Sequence, residues 1–440
     1  MCGIAGIVGT ADGDIQSRAD AVESMLSRLE HRGPDGSGLW ADASVTFGHR
    51  RLAIIDLSAS GHQPMASSDD RYVLTYNGEL YNHLELREEL VAQGVIFTGT
   101  SDSETLLEAL CFWGWRSVLP RLNGIFAFAL WDKVERELIL ARDAFGVKPL
   151  YYNSTEAGLS FSSELQAFEG LVDLDRSISV EAAAQVFQFG CTLGTTTIRT
   201  EACKLDAGCV LTWSPYGQST HSIHRYHRTE DAVSRGLNRP AVKRSQDISD
   251  DIEAHLEQAV SRQMMSDVPL GAFLSGGVDS SLIVAMMQRL SQQQTQTFAI
   301  GFAEAGYDES DAASAVADHL GTNHRTFWLT PEDMMHRVET LAEQMDEPFG
   351  DASFVPTLML SEMTSKHVTV ALSGDGGDEL FGGYSRHIFA AQLDRSMMLR
   401  GIQHGAALVA KMAPDLYAAL PRLLPRGSRG QQQERKVQKA

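Results

Sequence analysis

Two stretches of this sequence carry side chains whose types and spacing could do chemistry. Cys2 stands second in the chain, so removal of Met1 would leave a thiol and a free α-amine on one residue. An α-amine with an ordinary pKa of about 8 can take the thiol proton directly or through water, which makes the residue nucleophile and base at once. The same cysteine would equally serve as a small buried hydrophobe on a first strand. The second stretch, Leu270-Gly-Ala-Phe-Leu-Ser-Gly-Gly-Val-Asp-Ser-Ser281, reads as an apolar strand, a glycine-rich turn and a helix start. Backbone N–H groups at Gly276 and Gly277, the hydroxyls of Ser275, Ser280 and Ser281, and the positive end of the helix together make an anion site that suits phosphate. The turn holds no lysine and the chain has no Gly-x-x-x-x-Gly-Lys-Ser/Thr, which argues against a Walker-type γ-phosphoryl transfer. Asp279 fits such a nest only with a divalent cation between carboxylate and phosphate.

Other polar clusters could complete these sites. His31-Arg-Gly-Pro-Asp-Gly36, His49-Arg-Arg-Leu52, Tyr76-Asn-Gly-Glu-Leu-Tyr-Asn82 and Ser101-Asp-Ser-Glu104 are expected at strand or helix ends and together could bind an amino acid. Arg51 can clamp an α-carboxylate, Asp102 or Glu79 can hold an α-ammonium, and the Asn77 amide with the Gly78 N–H can form an oxyanion hole. Each cluster taken singly would also serve as a turn, a cap or a surface ion pair. Downstream, Ser373-Gly-Asp-Gly-Gly-Asp-Glu379 is a second glycine-rich acidic loop, whose Asp375, Asp378 or Glu379 could stand beside the first loop and suit Mg²⁺ bound with the phosphates of a ligand.

The elements that must position these groups fall into two patterns. Up to about residue 210, short alternating runs at Gly3–Val8, Ser44–Gly48, Tyr72–Tyr76, Ile125–Trp131, Glu137–Ala141, Leu150–Tyr152 and Leu159–Ser162 predict strands. Helices are expected at 18–30, 83–92, 103–113 and 180–188, which makes a sheet-rich α+β domain. Residues 211–248 read as a polar linker. From 249 to 440, apolar strands at 268–274, 296–302, 324–329 and 368–373 alternate with helices at 281–291, 309–320, 331–345 and 354–366. That alternation predicts a parallel sheet covered on both faces, with ligands at the carboxyl ends of its strands.

A chain of 440 residues has room for two or three domains, and 43% hydrophobic residues fits a globular class. No apolar run reaches the roughly 18 residues of a membrane span, and the start lacks the basic region of a signal peptide, so the cytoplasm is the expected compartment. Five cysteines without a Cys-x-x-Cys pair indicate neither a disulfide framework nor zinc. The net charge of −20 argues against a nucleic-acid partner, whose phosphates demand clustered cations. From Arg386 onward, however, ten Lys or Arg face three Asp or Glu, so a basic tail follows an acidic body.

Ser-Gly-Gly-Val-Asp-Ser resembles the pyrophosphate loop of enzymes that split ATP between its α and β phosphates. With Met-Cys-Gly-Ile, His-Arg-Gly-Pro-Asp, Arg-Leu-Ala-Ile and Tyr-Asn-Gly-Glu ahead of it, the chain resembles the glutamine-hydrolysing asparagine synthetases over about residues 1–390. The resemblance implies an N-terminal-nucleophile α+β domain, an αββα sandwich, followed by an α/β parallel-sheet pyrophosphate-loop domain. It implies Cys2 as nucleophile, with Arg51, Leu52, Ala53, Ile54, Ile55, Asn77, Gly78, Glu79 and Asp102 around glutamine. Leu274, Ser275, Gly276, Gly277, Asp279, Ser280, Ile300, Ser373 and Gly374 would contact ATP. Asp279 and Asp378 would hold Mg²⁺, and Asp375 would serve formation of an adenylated intermediate. The implied reaction joins ammonia to aspartate through β-aspartyl-AMP, with small-molecule substrates and a homodimer as the candidate assembly.

One departure stands out. The family continues past its Phe-Gly-Gly-Tyr segment, here Phe381–Tyr384, into a helical region with an Arg-x-Pro-Phe-x-Asp stretch and a later catalytic lysine, and neither is found in the 56 residues that follow Tyr384. Two alternatives therefore stay open: the same chemistry on a sugar carboxylate, and a truncated protein that keeps glutaminase and nucleotide binding without synthesis.

Overall fold

The computed structural model describes residues 1–9, 14–171, 175–215, 221–238, 245–303, 308–341 and 345–395. The chain resolves into two compact units, residues 1–373 and 374–440, taken separately below. Within the first unit, two six-stranded antiparallel sheets come from the N-terminal half. One runs Cys203–Lys204, Tyr151–Thr155, Gly158–Ser162, Gly3–Gly9, Val45–Arg51, Gly36–Ala41. The other runs Ser222–Arg225, Cys209–Trp213, Glu137–Arg142, Gly124–Asp132, Tyr72–Leu80, Met65–Ala66.

Period-two patterning explains the layering. On the first strand Ile4 and Val8 face Phe47, Phe161, Trp131 and Trp213 between the sheets, while Ala5 faces outward onto Met25, Leu26 and Phe168. Helix Ile15–Ser27 covers that outer face, capped by the Asp14 carboxylate. On the other side, Leu74, Tyr76, Phe126 and Phe128 meet Leu86, Leu90, Leu106 and Leu110 from helices His83–Ala92 and Asp102–Trp113. The result is the expected αββα sandwich, and each fully buried Leu or Phe in it contributes about 1.5–3 kcal/mol.

The second sheet takes in Cys209–Trp213 and Ser222–Arg225, past the boundary expected at 210, with Val210 opposite His224. Helices Thr229–Asn238 and Ser245–Gln263 occupy most of the rest of the segment expected as linker. The polar Ser222-Ile-His-Arg225 run is an exposed edge strand, so its polarity marked solvent contact and not an absence of pairing.

A four-stranded parallel sheet follows, in the order Asn323–Leu329, Gln296–Phe302, Leu270–Phe273, Val370–Leu372. Ala272, Leu274 and Ala299 pack against Val284, Met287, Ala313 and Ala317 of helices Val278–Leu290 and Ser310–Leu320. Phe298, on the opposite face, stacks on Phe327 and His367. In residues 374–440 the described elements are the short helix Gly377–Phe381 and helix Ser385–Arg395. The basic stretch beyond residue 395 lies outside the described residues.

Candidate active sites

The register of the first strands brings Cys2 to its neighbours. Gly3 pairs with Arg50, so the chain just before Gly3 lies beside the chain just after Arg50. There the Leu52 N–H donates to Cys2 Sγ at 3.4 Å. Two bonds tie the sheets together at this end: His49 Nε2 lies 3.1 Å from the Tyr76 carbonyl, and Thr75 Oγ1 donates to the Gly48 carbonyl at 3.2 Å. They set Arg51 and Leu52 close to Asn77, Gly78 and Glu79. These three lie inside the strand Tyr72–Leu80, beyond the end expected at Tyr76, because Asn77, Gly78 and Glu79 continue pairing with Ala127, Phe126 and Ile125.

Each candidate glutamine residue has a defined setting. Arg51 is buried and donates to the Ser58 carbonyl at 3.0 Å and to the Asp56 carbonyl, both neutral acceptors, and no carboxylate is paired with it among the described residues. Ala53 N–H donates to Asp35 Oδ2 at 2.9 Å, and the Ile54 carbonyl accepts from Asp267 N–H at 3.0 Å. Asp56 shapes the loop after Ile55: at φ +57° its carboxylate gathers Ser58, Ser60 and the Thr100 N–H. Asn77 is buried, and its Nδ2 has no partner among the described residues, an orphan donor where a ligand oxygen would satisfy it. Asp102 opens a helix capped by Ser101 and accepts from Tyr76 Oη at 3.0 Å and Leu80 N–H at 2.9 Å. Burial pushes the Asp102 carboxyl up against those two bonds, and it likewise raises Glu79, opposed by the nearby Lys148.

Burial also raises the Cys2 thiol, while the Leu52 bond and the charges of the α-amine and Lys148 pull it down. The Met1 α-amine is lowered to about 6, chiefly by burial, so it is neutral and able to accept a proton at pH 7.

Sequence reasoning left several supporting residues without a role. Arg32 is buried, donates from Nε to the Cys2 carbonyl at 2.9 Å, and pairs with Glu164 at 2.6 Å. Gly33 lets the chain after Arg32 pass close to the strand Val45–Arg51, since a Cβ there would fall 2.3 Å from the Arg50 carbonyl carbon. Lys148 is buried, and its backbone is held by Asp143, whose carboxylate also accepts from Phe126, Phe145 and Val147. His31-Arg-Gly-Pro-Asp was visible as a polar motif, whereas Glu164 and Lys148 carry no local signal and become neighbours only through the sheet.

At the second site the chain leaves strand Leu270–Phe273 and enters helix Val278–Leu290, which begins three residues before the start expected at Ser281. Gly277 caps it without a side-chain bond, which leaves the first-turn N–H groups without a capping side chain. Ser275 Oγ and Ser280 Oγ lie 3.0 Å apart, the Gly277 N–H donates to Ser275 Oγ at 3.3 Å, and buried Ser281 Oγ has no partner among the described residues. Gly276, at φ +75°, passes so near the helix Ser310–Leu320 that a Cβ would sit 2.7 Å from the Ala312 backbone. Beside this loop, at the carboxyl ends of the strands, lies a cavity of about 650 Å³ lined by Leu274, Ser275, Ile300, Phe302, Met334 and Pro356, a size that suits a nucleotide. Ser373 follows strand Val370–Leu372, whose Leu372 pairs with Ala272. Asp279 is half-buried in the first turn of its helix. In the second unit, Gly374 and Asp375 lead into the helix Gly377–Phe381, and the Asp378 carboxylate fills the space that the missing Cβ of Gly383 leaves open.

Comparison with known proteins bears on both halves. Residues 1–227 match the model of the glutamine amidotransferase domain, and residues 251–439 that of asparagine synthase. The glutamine-hydrolyzing asparagine synthetase 1 of Bacillus subtilis is 34% identical over 391 residues, covering 88% of this chain and 59% of that protein. A Mycobacterium tuberculosis protein provisionally given the same enzyme name is 38% identical over 402 residues, covering 88% of this chain and 60% of the relative. A second, from Methanocaldococcus jannaschii, is 35% identical over 418 residues, covering 90% of this chain and 78% of the relative. The chain thus spans about three fifths of the length of the Mycobacterium and Bacillus relatives. With two family models in tandem and relatives aligned across both, the chain belongs to the glutamine-hydrolysing asparagine synthetase family.

Proposed function

We propose that this chain hydrolyses glutamine at Cys2 and uses the ammonia to amidate a carboxylate that ATP has activated, making asparagine from aspartate with release of AMP and pyrophosphate. The observation that carries this reading is that one chain of this family holds both a cysteine at the meeting of two sheets and a glycine loop at the mouth of a nucleotide-sized cavity. Once Met1 is removed, the α-amine belongs to Cys2 itself and takes the thiol proton, and the thiolate attacks the glutamine side-chain carbonyl. Arg51 receives the substrate α-carboxylate, and Asp102 with Glu79 receives its α-ammonium. The Asn77 amide and Gly78 N–H stabilise the developing oxyanion. The protonated amine then returns its proton to the departing ammonia, and water completes hydrolysis.

On the synthetase side, Leu274 and Ile300 would contact the base and ribose, and Ser275, Gly276, Gly277 and Ser280 the phosphates, with Ser373 and Gly374 on the neighbouring strand end. Asp375 is assigned to adenylate formation. Asp279 and, in the second unit, Asp378 are the residues proposed to hold Mg²⁺, on the ground that each carboxylate is a hard oxygen donor of the kind that cation takes together with phosphate oxygens. Bound there it would offset phosphate charge as pyrophosphate leaves. The substrates are small molecules, and the expected compartment is the cytoplasm; no helix among the described residues is long and apolar enough to cross a membrane.

The test is pyrophosphate release from ATP and Mg²⁺ with ammonium supplied, across a panel that includes aspartate and sugar carboxylates. Release that depends on aspartate supports the reading, release only with a sugar acid moves the acceptor, and no release with any acceptor overturns the synthetase assignment.

A further inference from the structure

We propose that Asp346 is a positioning residue that conveys occupation of the nucleotide cavity to Cys2, an inference that rests on the two sites proposed above. Asp346 and Glu347 lie between helices Pro331–Leu341 and Phe354–Thr364 of the second domain, yet their carboxylates are engaged by the first. Asp346 accepts from the N–H groups of Leu165 at 2.6 Å and Gln166 at 2.9 Å. Glu347 accepts from Ile198 N–H at 3.0 Å and Thr192 Oγ1 at 3.1 Å and pairs with Lys204 at 2.7 Å. A backbone bond from Gly350 N–H to the Gly190 carbonyl, 2.6 Å, completes the attachment.

What Asp346 holds is the start of the short helical turn Leu165–Gly170, whose own cap residue, Glu164, makes no capping bond. Glu164 is instead committed to Arg32, and Arg32 donates to the Cys2 carbonyl. The nucleophile's backbone is therefore three links from Asp346: the Leu165 amide, the Glu164–Arg32 pair, and the Arg32–Cys2 bond. In the other direction the chain runs exposed from Pro348 to Ser353, and Ala352, Ser353, Pro356 and Thr357 line the nucleotide cavity. Asp351 fixes the turn just before the helix that carries the last two, accepting from Ser353 N–H at 2.8 Å and Ser353 Oγ at 2.7 Å. The segment is fixed to the first domain at Asp346, Glu347 and Gly350 and forms cavity wall from Ala352 onward, so a ligand that shifts the wall pulls on these attachments.

The experiment compares the wild type with Asp346→Asn, which keeps the volume but can accept at only one oxygen, and with Asp346→Glu as the conservative variant. Alkylation of Cys2 by iodoacetamide, followed by peptide mass, is measured with and without ATP, alongside glutaminase kcat and KM and ammonia-driven pyrophosphate release. ATP is expected to change the wild-type alkylation rate and glutaminase kcat/KM by about fivefold or more. The Asn variant should lose that response while retaining ammonia-driven release, and the Glu variant should recover part of it. A merely structural role would lower glutaminase equally with and without ATP, and that result overturns the inference. So does a wild type whose Cys2 ignores ATP while both half-reactions run, an outcome that leaves the proposed function intact. Absence of both half-reactions overturns the reading itself and this inference with it.

Discussion

Around Cys2 the protein's own groups hold one another: Arg32 on Glu164 and on the Cys2 carbonyl, Asp102 on Tyr76 and Leu80, Arg51 on the Asp56–Ser58 loop. At residues 275–281 the chain offers mostly backbone donors and hydroxyls beside an open cavity. On the proposed function, the difference follows from what each site would bind. A small zwitterion has one charge of each sign and must be met by fixed side chains of opposite sign, whose burial is tolerable only when they are braced. A triphosphate brings several negative charges and its own cation, so helix ends and glycine N–H groups suffice, and preformed lysine charge is unnecessary.

If the two regions are separate sites, the largest break comes from Cys2→Ala. Glutamine hydrolysis should fall by about a thousandfold or more, while ammonia-supported pyrophosphate release stays unchanged. Equal loss of both activities would contradict the division. An N-terminal extension that prevents Met1 removal should have the same one-sided effect, because it displaces the α-amine assigned as base; full glutaminase activity in an extended, unprocessed protein would refute that assignment.

The next effect is on stability. Burial lowers His49 to about 4, although its bond to the Tyr76 carbonyl resists this. An unfolded histidine near 6.5 takes up protons that the folded one refuses, so this contribution is full above that pH and is lost as pH falls from about 6.5 to about 4, by about 3 kcal/mol. His49→Gln keeps a donor for the carbonyl and removes the titration. Denaturant melts between pH 7 and 4 should therefore be flatter for the variant, and identical slopes would show that His49 does not couple the sheets to pH.

Gly276→Ala tests the loop region. The positive φ and the approach to Ala312 predict strain of about 1–3 kcal/mol, felt as roughly ten- to hundredfold weaker use of ATP with glutaminase untouched. Asp279→Asn is the gentlest change. It should raise the Mg-ATP requirement about tenfold, or about 1.4 kcal/mol, if the carboxylate meets a cation, and leave it unchanged if Asp279 only favours the helix N-terminus.

The parallel-sheet elements were legible because local rules set them. Strands at 296–302 and 324–329 and helices at 309–320 and 354–366 fall within two residues of their observed bounds at each end, since apolar runs and helical periods alternate without interruption. The anion loop was legible for the same reason, because strand, glycines, serines and helix start are contiguous. Boundaries in the first domain were less so: Tyr72–Leu80 runs on through a polar Asn-Gly-Glu because its partner strand, some fifty residues away, supplies the hydrogen bonds.

The sequence by itself determined which residues could act: a cysteine next to the α-amine, a glycine-rich phosphate loop, and the motifs that mark the family. Tertiary structure alone decided how they are held. Arg32 and Glu164, Asp102 and Leu80, and Asp346 and Leu165 are separated by 132, 22 and 181 residues, and nothing in their local sequence names the partner. Hydrogen bonds act over about 3 Å whatever the separation along the chain, so such pairs exist only after strand register and helix packing have brought them together.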